Sequence, residues 1–133
     1  MITISNDMIT GIPKIDEQHM ELVNRINAVT SMGLNSVLKE ETQKTLNFLG
    51  EYIIKHFSDE ESLQKQCGYP NYEIHRRLHQ QYIFEFKRLK KEFDENGSSV
   101  EFTLTLRNSI IGWIIRHIKT VDAEFGKYYN SHI

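Results

Sequence analysis

Apolar residues recur along most of this chain in steps of three and four, and Gly33-Leu34-Asn35-Ser36, Gly68-Tyr69-Pro70 and Asn96-Gly97 interrupt the recurrence. Such steps keep successive side chains on one face of a helix, and glycine, proline and asparagine clusters end helices. The pattern therefore predicts an N-terminal arm followed by four helices. Pro13 stiffens the arm, residues 1–15, and Asp16 is the expected N-cap of the first helix, with Ile15 and Met20 closing a hydrophobic staple. Leu22, Val23, Ile26 and Val29 follow on the side that carries His19.

The second helix is predicted from about Val37 to about Gln66, roughly 45 Å at helical rise. Its inward stripe reads Thr42, Leu46, Leu49, Ile53, His56, Glu60 and Leu63. Asn71 can cap the third helix, whose stripe is His75, His79, Tyr82, Phe86, Leu89 and Phe93, and Asn96-Gly97 stops it. Ser98 and Glu101 have the spacing of a capping box for the fourth, with Leu104, Ile110, Ile111, Ile114, His117, Val121 and Phe125 facing inward. Short connections favour antiparallel neighbours. The expected fold is all-α, one domain over residues 1–133, with an up-down-up-down four-helix bundle from residue 16 onward.

Composition adds exclusions. A chain of 133 residues with 39% hydrophobic and 11% aromatic residues can bury a real core. It carries no repeat and no low-complexity tract. A formal charge of −2 gives no basic surface for nucleic acid, and Lys87-Arg88-Leu89-Lys90-Lys91 reads as a solvated helix face. No apolar run approaches the roughly 18 residues of a membrane helix, and Met1 to Ile15 lacks the basic and apolar regions of a secretory leader. Membrane insertion is not expected. Cys67 is the single cysteine, which agrees with a reducing compartment, and the expected location is cytoplasmic.

The chemistry sits on the same stripes. His56 with Glu60, and His75 with His79, are four apart and present two donors in one direction. His19 and the pair His117 and Asp122 complete a set of seven donors, one group per helix. A lone histidine on an apolar stripe is more often a hydrogen-bonded core residue, and His19 by itself would be read so. Five imidazoles and two carboxylates in one bundle core are costly unless they share a cation. Asp122 is the awkward member, because five residues turn about 140° around an ideal helix. It either reaches sideways to bridge, is brought round by a local distortion, or lies on the solvated surface. His132, next to last, is expected to be frayed and exposed.

If Glu60 and Asp122 each bridge two ions, together with a solvent-derived oxygen, five histidines must divide three and two. One ion is then six-coordinate and the other keeps an open position. Imidazole and carboxylate donors suit several first-row metals, and a bridged pair with one open position suits iron that binds dioxygen. The Glu-x-x-His motifs of carboxylate-rich di-iron bundles are absent. A nitrogen-rich shell favours holding dioxygen over activating it.

At these motifs the sequence resembles the hemerythrin family, specifically its bacterial single-domain members. The likeness runs from Thr10-Gly11-Ile12-Pro13-Lys14-Ile15-Asp16-Glu17-Gln18-His19 to the His117–Asp122 motif and includes Trp113, four before His117. It implies that His75, His79 and His117 hold the six-coordinate iron, that His19 and His56 hold the iron with the open position, and that Glu60 and Asp122 bridge. The implied cofactor is two iron ions, a non-haem di-iron centre with an oxo or hydroxo bridge. The implied activity is reversible dioxygen binding without catalytic turnover, with an oxygen-consuming enzyme as a candidate recipient. Bacterial members commonly place a tryptophan in the arm where this chain has Ile4.

Leu22, Phe57, Trp113, Ile114 and Ile118 lie within a turn of these positions and are candidates for an apolar wall around bound oxygen, although each also suits ordinary core packing. Rival readings are an oxygen or redox sensor, which would signal through a partner since no residues remain for an output domain, a di-iron oxidase or peroxidase, and a metal store.

Overall fold

Glycines with positive φ end two of the helices, as the turn pattern requires. The structure, a computed structural model, describes residues 4–30, 39–97 and 99–132. The break at Gly33 to Ser36, Val37 and Ser98 lie outside the described residues, as do the side chains of Val29, Thr42, Leu104 and Ile110. Helix α1 is Pro13–Thr30, α2 is Lys39–Cys67, α3 is Tyr72–Asn96, and α4 is a continuous rod over 100–132. Gly68 follows α2 at φ 68°, and Gly97 at φ 76° closes α3 by donating its N–H to the Phe93 carbonyl at 2.8 Å. Both need a backbone region that side chains with a Cβ avoid.

The third stripe is buried as read from the sequence, with His75, His79, Tyr82, Phe86, Leu89 and Phe93 all inside. On α2, Leu46, Leu49, Ile53, His56 and Glu60 are buried, but the next fully buried position is Gln64 rather than Leu63, which is half-buried. Gln64 turns inward because its amide meets His75 across the bundle.

Two apolar clusters show the chain direction. Ile15, Tyr69 and Phe125 belong to one, with Leu63 packed against it; Leu22, Phe57, Tyr82, Ile114 and Ile118 belong to the other. Along α1 and α3 the small cluster comes first and the large one second, while along α2 and α4 the order reverses. The helices therefore run up, down, up and down, and on each of them the histidines and acids fall where the two clusters meet.

Two helix starts differ from the sequence reading. α1 begins at Pro13, whose fixed φ and missing N–H suit a first helical position, so Asp16 falls inside the first turn and is not the N-cap. Its carboxylate instead clamps the arm, accepting bonds from Thr10 N at 2.8 Å, Thr10 Oγ1 at 2.7 Å and Gly11 N at 3.1 Å. Met20 is 52% exposed and forms no staple with the fully buried Ile15. On α4 the cap is Ser99, whose Oγ accepts from Phe102 N at 3.0 Å.

The arm lies along the bundle. Ile4 packs partly buried against the larger cluster and Met8 is buried within it. Thr10 crosses α4 at Gly126, where an added Cβ would stand 2.4 Å from the Thr10 carbonyl oxygen. Only glycine permits this approach. Asn130 Nδ2 then donates to the same carbonyl at 2.8 Å.

Candidate metal centre

Each helix delivers its donors into the layer between the two apolar clusters: His19 from α1, His56 and Glu60 from α2, His75 and His79 from α3, His117 and Asp122 from α4. All are buried, and His117, at 4%, is the most exposed. Asp122 reaches the layer because α4 opens into a wider turn over Ile118–Asp122, where the Ala123 N–H bonds back five residues to the Ile118 carbonyl. A five-residue turn brings a residue five positions on back toward the face of His117, and wide turns of this kind occur often at functional sites. Of the alternatives left open by the sequence, local distortion is the one observed. A second wide turn, Leu106–Ile111, precedes it.

The donors form two groups that share both carboxylates. One contains Glu60, His75, His79, His117 and Asp122, the other His19, His56, Glu60 and Asp122. Asp122 is split between them. Its Oδ1 stands 2.9 Å from His75 Nε2 and 3.1 Å from His117 Nε2, while its Oδ2 stands 2.9 Å from His19 Nε2 and 3.8 Å from His56 Nε2. Glu60 Oε1 lies 2.9 Å from His75 Nε2 and 3.2 Å from His79 Nε2.

These atoms are close without being mutually satisfied. Both Glu60 oxygens, Asp122 Oδ1 and His56 Nε2 are buried with no hydrogen-bond partner, as is His19 Nδ1. Buried carboxylate oxygens left so are costly, and converging nitrogen and oxygen lone pairs become favourable when they share cations. The donor set is of the kind that holds first-row divalent metal ions.

The hemerythrin HHE cation binding domain matches residues 10–129. The chain belongs to the hemerythrin family. It is similar to the bacteriohemerythrin of Campylobacter jejuni, 28% identical over 132 residues that cover 98% of this chain and 92% of that one. A bacteriohemerythrin of Stenotrophomonas maltophilia is 23% identical over 133 residues, covering 100% of this chain and 84% of the relative. Crystal structures of hemerythrin variants substituted at one leucine share the fold, with a TM-score of 0.82 at 23% identity over 97% of both chains for one of them.

Around the hemerythrin donors stands a set of partners that fix ring orientation. Gln18 Oε1 lies 2.7 Å from His56 Nδ1, and a carbonyl oxygen can only accept, so Nδ1 carries the proton and Nε2 keeps its lone pair. Gln18 Nε2 donates to Asp59 at 2.8 Å, and Lys14 reaches Asp59 from the surface at 3.7 Å. Glu61 Oε2 accepts from His79 Nδ1 at 3.0 Å. Gln64 meets His75 Nδ1. Sequence reasoning passed over Gln18, Glu61 and Gln64. Gln64 alone had a readable trace, since it lies four residues after Glu60, itself four after His56.

Electrostatics follow from burial and crowding. Burial alone would lower the His75 imidazolium, but the Asp122 and Glu60 carboxylates beside it outweigh that and raise it to about 9. His79 moves the other way, held far below the ordinary imidazole range by burial and by His75 and His117. Burial also lowers His56. Glu60 is held well above the usual carboxylate range by burial and by the Asp122 charge. Burial would raise Asp122 too, yet the histidines around it, His117 foremost, reverse this and hold it well below its usual value.

Without a cation the centre thus keeps a proton on His75 and favours one on Glu60, and a metal must displace them. Cation affinity is expected to rise as pH rises, by about tenfold per pH unit for each displaced proton, and to gain nothing further from His75 above about 9. Calorimetric titration in buffers of different ionisation heat counts those protons. An affinity flat from about pH 6 to 9 would contradict the assignment.

The five candidate wall residues do not line one surface. Phe57 stacks on His79 with centroids 3.7 Å apart and planes 2° apart. Trp113, half-buried, stacks on His117 at 4.6 Å and on Tyr82 at 4.3 Å. Both rings therefore cover the three-histidine group, and Trp113 also borders a surface cavity of about 140 Å³ that reaches His117. Leu22, Ile114 and Ile118 are fully buried in the larger apolar cluster. His132 is exposed, as expected. Among the described residues no helix is long and apolar enough to cross a membrane.

Proposed function

We propose that this chain binds dioxygen reversibly at a non-haem di-iron centre held by His19, His56, Glu60, His75, His79, His117 and Asp122, and that it stores oxygen, transports it or delivers it to an oxygen-consuming enzyme, without catalytic turnover as its main role. The observation that carries this reading is the division of Asp122, one oxygen toward three-histidine donors and the other toward His19 and His56. Two irons held there would supply two one-electron reductants beside a single open coordination position, the chemistry that takes up dioxygen and returns it.

The chain's own residues explain how such a centre is kept reversible. Glu60 and Asp122 set two negative charges against the cations and link the two donor groups, so the apolar interior encloses a small net charge. Gln18 and Glu61 hold the Nδ1 protons of His56 and His79, leaving Nε2 of each ring directed inward. Leu22, Phe57, Ile114 and Ile118, each no more than 1% exposed, exclude water and protons from the layer's larger-cluster side. His19 and His56 give the second group two imidazoles against three in the first, so the group with fewer donors is where oxygen has room.

The test is spectroscopic. Protein reduced without air should be nearly colourless, gain a visible charge-transfer band on exposure to air, and lose it when oxygen is withdrawn, through repeated cycles. Sustained oxygen consumption with a reductant and an added substrate, beyond slow autoxidation, would replace the carrier by an oxidase.

A further inference from the structure

Besides the small cavity that reaches His117, Trp113 lines a larger one of about 600 Å³, open to solvent between α3 and the wide turn Leu106–Ile111 of α4, which contributes Ser109. Its volume lies in the range of small-molecule clefts, roughly 300–1,000 Å³. The lining is mixed in kind. Phe84 leaves an aromatic ring 66% exposed, Gln80 and Gln81 offer amide donors and acceptors, and Arg77 enters no ion pair among the described residues. Glu85, the acid of this lining, is held by Arg88 at 2.6 Å. Aromatic surface, amide edges and an unpaired guanidinium together suit a planar conjugated ligand with polar ring edges and an anionic tail.

Behind this cavity the rings continue inward. Trp113 stacks on His117 with centroids 4.6 Å apart and planes 14° apart, and His117 belongs to the buried donor layer. A conjugated ring held against Trp113 is therefore one side chain away from the metal donors. We infer that the cavity takes a reduced flavin nucleotide, FMN being the simplest, and that Trp113 conducts its electrons to the His117 side of the centre. The inference rests on the di-iron reading above, because a carrier that autoxidises slowly collects ferric centres that only an outside electron donor restores. FMNH2 releases two electrons and two protons and becomes FMN; each of two ferric ions takes one electron and becomes ferrous, and the protons pass to water. A stacked pair of rings carries electrons inward while the apolar cluster behind it stays closed.

Binding is read on the purified protein without reference to its metal. Oxidised FMN should bind saturably by calorimetry, and Trp113, the single tryptophan of the chain, should change its emission over the same concentrations. Riboflavin, which lacks the phosphate, should bind the parent about tenfold more weakly than FMN, and Arg77→Gln should bind the two alike. No binding of FMN below about 1 mM, or equal affinity of the parent for FMN and riboflavin, would overturn the assignment of the cavity.

Electron delivery is read separately. Without air, oxidised iron-loaded protein mixed with excess reduced FMN should be reduced at a rate that rises to a plateau. Trp113→Leu should lower that plateau about tenfold or more, and Trp113→Phe, which keeps a ring beside His117, should recover part of it. Arg77→Gln should shift the half-saturating concentration upward by the factor that calorimetry reads. A rate that climbs linearly with reduced FMN, or a Trp113→Leu plateau equal to the parent's, would overturn the relay. Fewer than two irons per chain in the parent would instead remove the di-iron reading, and calorimetry would still decide the cavity.

Discussion

Glu60→Ala should empty the whole centre rather than half of it. Glu60 belongs to both donor groups, so its loss removes one oxygen donor from each at once and leaves Asp122 as their one shared residue among the described residues. The parent, expressed with ample iron, is expected to hold two irons per chain by metal analysis, and the variant close to none, with helical content unchanged by circular dichroism. Metal-free stability should move in the opposite direction. A fully buried carboxyl group with no hydrogen bond on either oxygen, even when it holds a proton, is a burden on the empty fold, and alanine relieves it at the cost of a cavity of a few atoms. A variant that retained one tightly held iron would show that Glu60 serves a single ion. A parent with one metal per chain, or with zinc in both places after iron-replete expression, would end the di-iron reading.

The second large effect concerns water and protons. Leu22 is one turn after His19, completely buried, and part of the larger apolar cluster that closes the layer of donors. Leu22→Gln is expected to bind two irons and stay helical, yet its oxygen-loaded form should convert to the oxidised state about tenfold faster or more, an increase that corresponds to only ~1.4 kcal/mol of barrier. The acceleration should be steeper at low pH, where protons that help oxygen leave in reduced form are plentiful. Leu22→Met conserves apolar character and approximate volume and should change the rate little. Decay followed by absorbance separates the variants. If Gln, Met and the parent decay alike, Leu22 is ordinary packing and the oxygen side of the centre lies elsewhere.

The bundle and the side chains that converge inside it were legible in the sequence because both are properties of single helices. The stripe of α3 could be read residue by residue, since whether a side chain is buried there depends on the phase of one helix against one core. The same phase singled out His56 with Glu60 and His75 with His79, and Gly97 ended α3 because few other residues adopt its backbone. Tertiary structure decided what no single helix contains. It placed Asp122 by a wide turn over Ile118–Asp122 that no residue spacing announces, set Gln64 inward in place of Leu63 because His75 waits across the bundle, and gave Asp16 to the arm once Pro13 had begun the helix. It also divided the two Asp122 oxygens between donor groups drawn from different helices. Periodicity reports which face of a helix is covered. Which atom meets which depends on the packing of four helices against one another, and that was settled only in three dimensions.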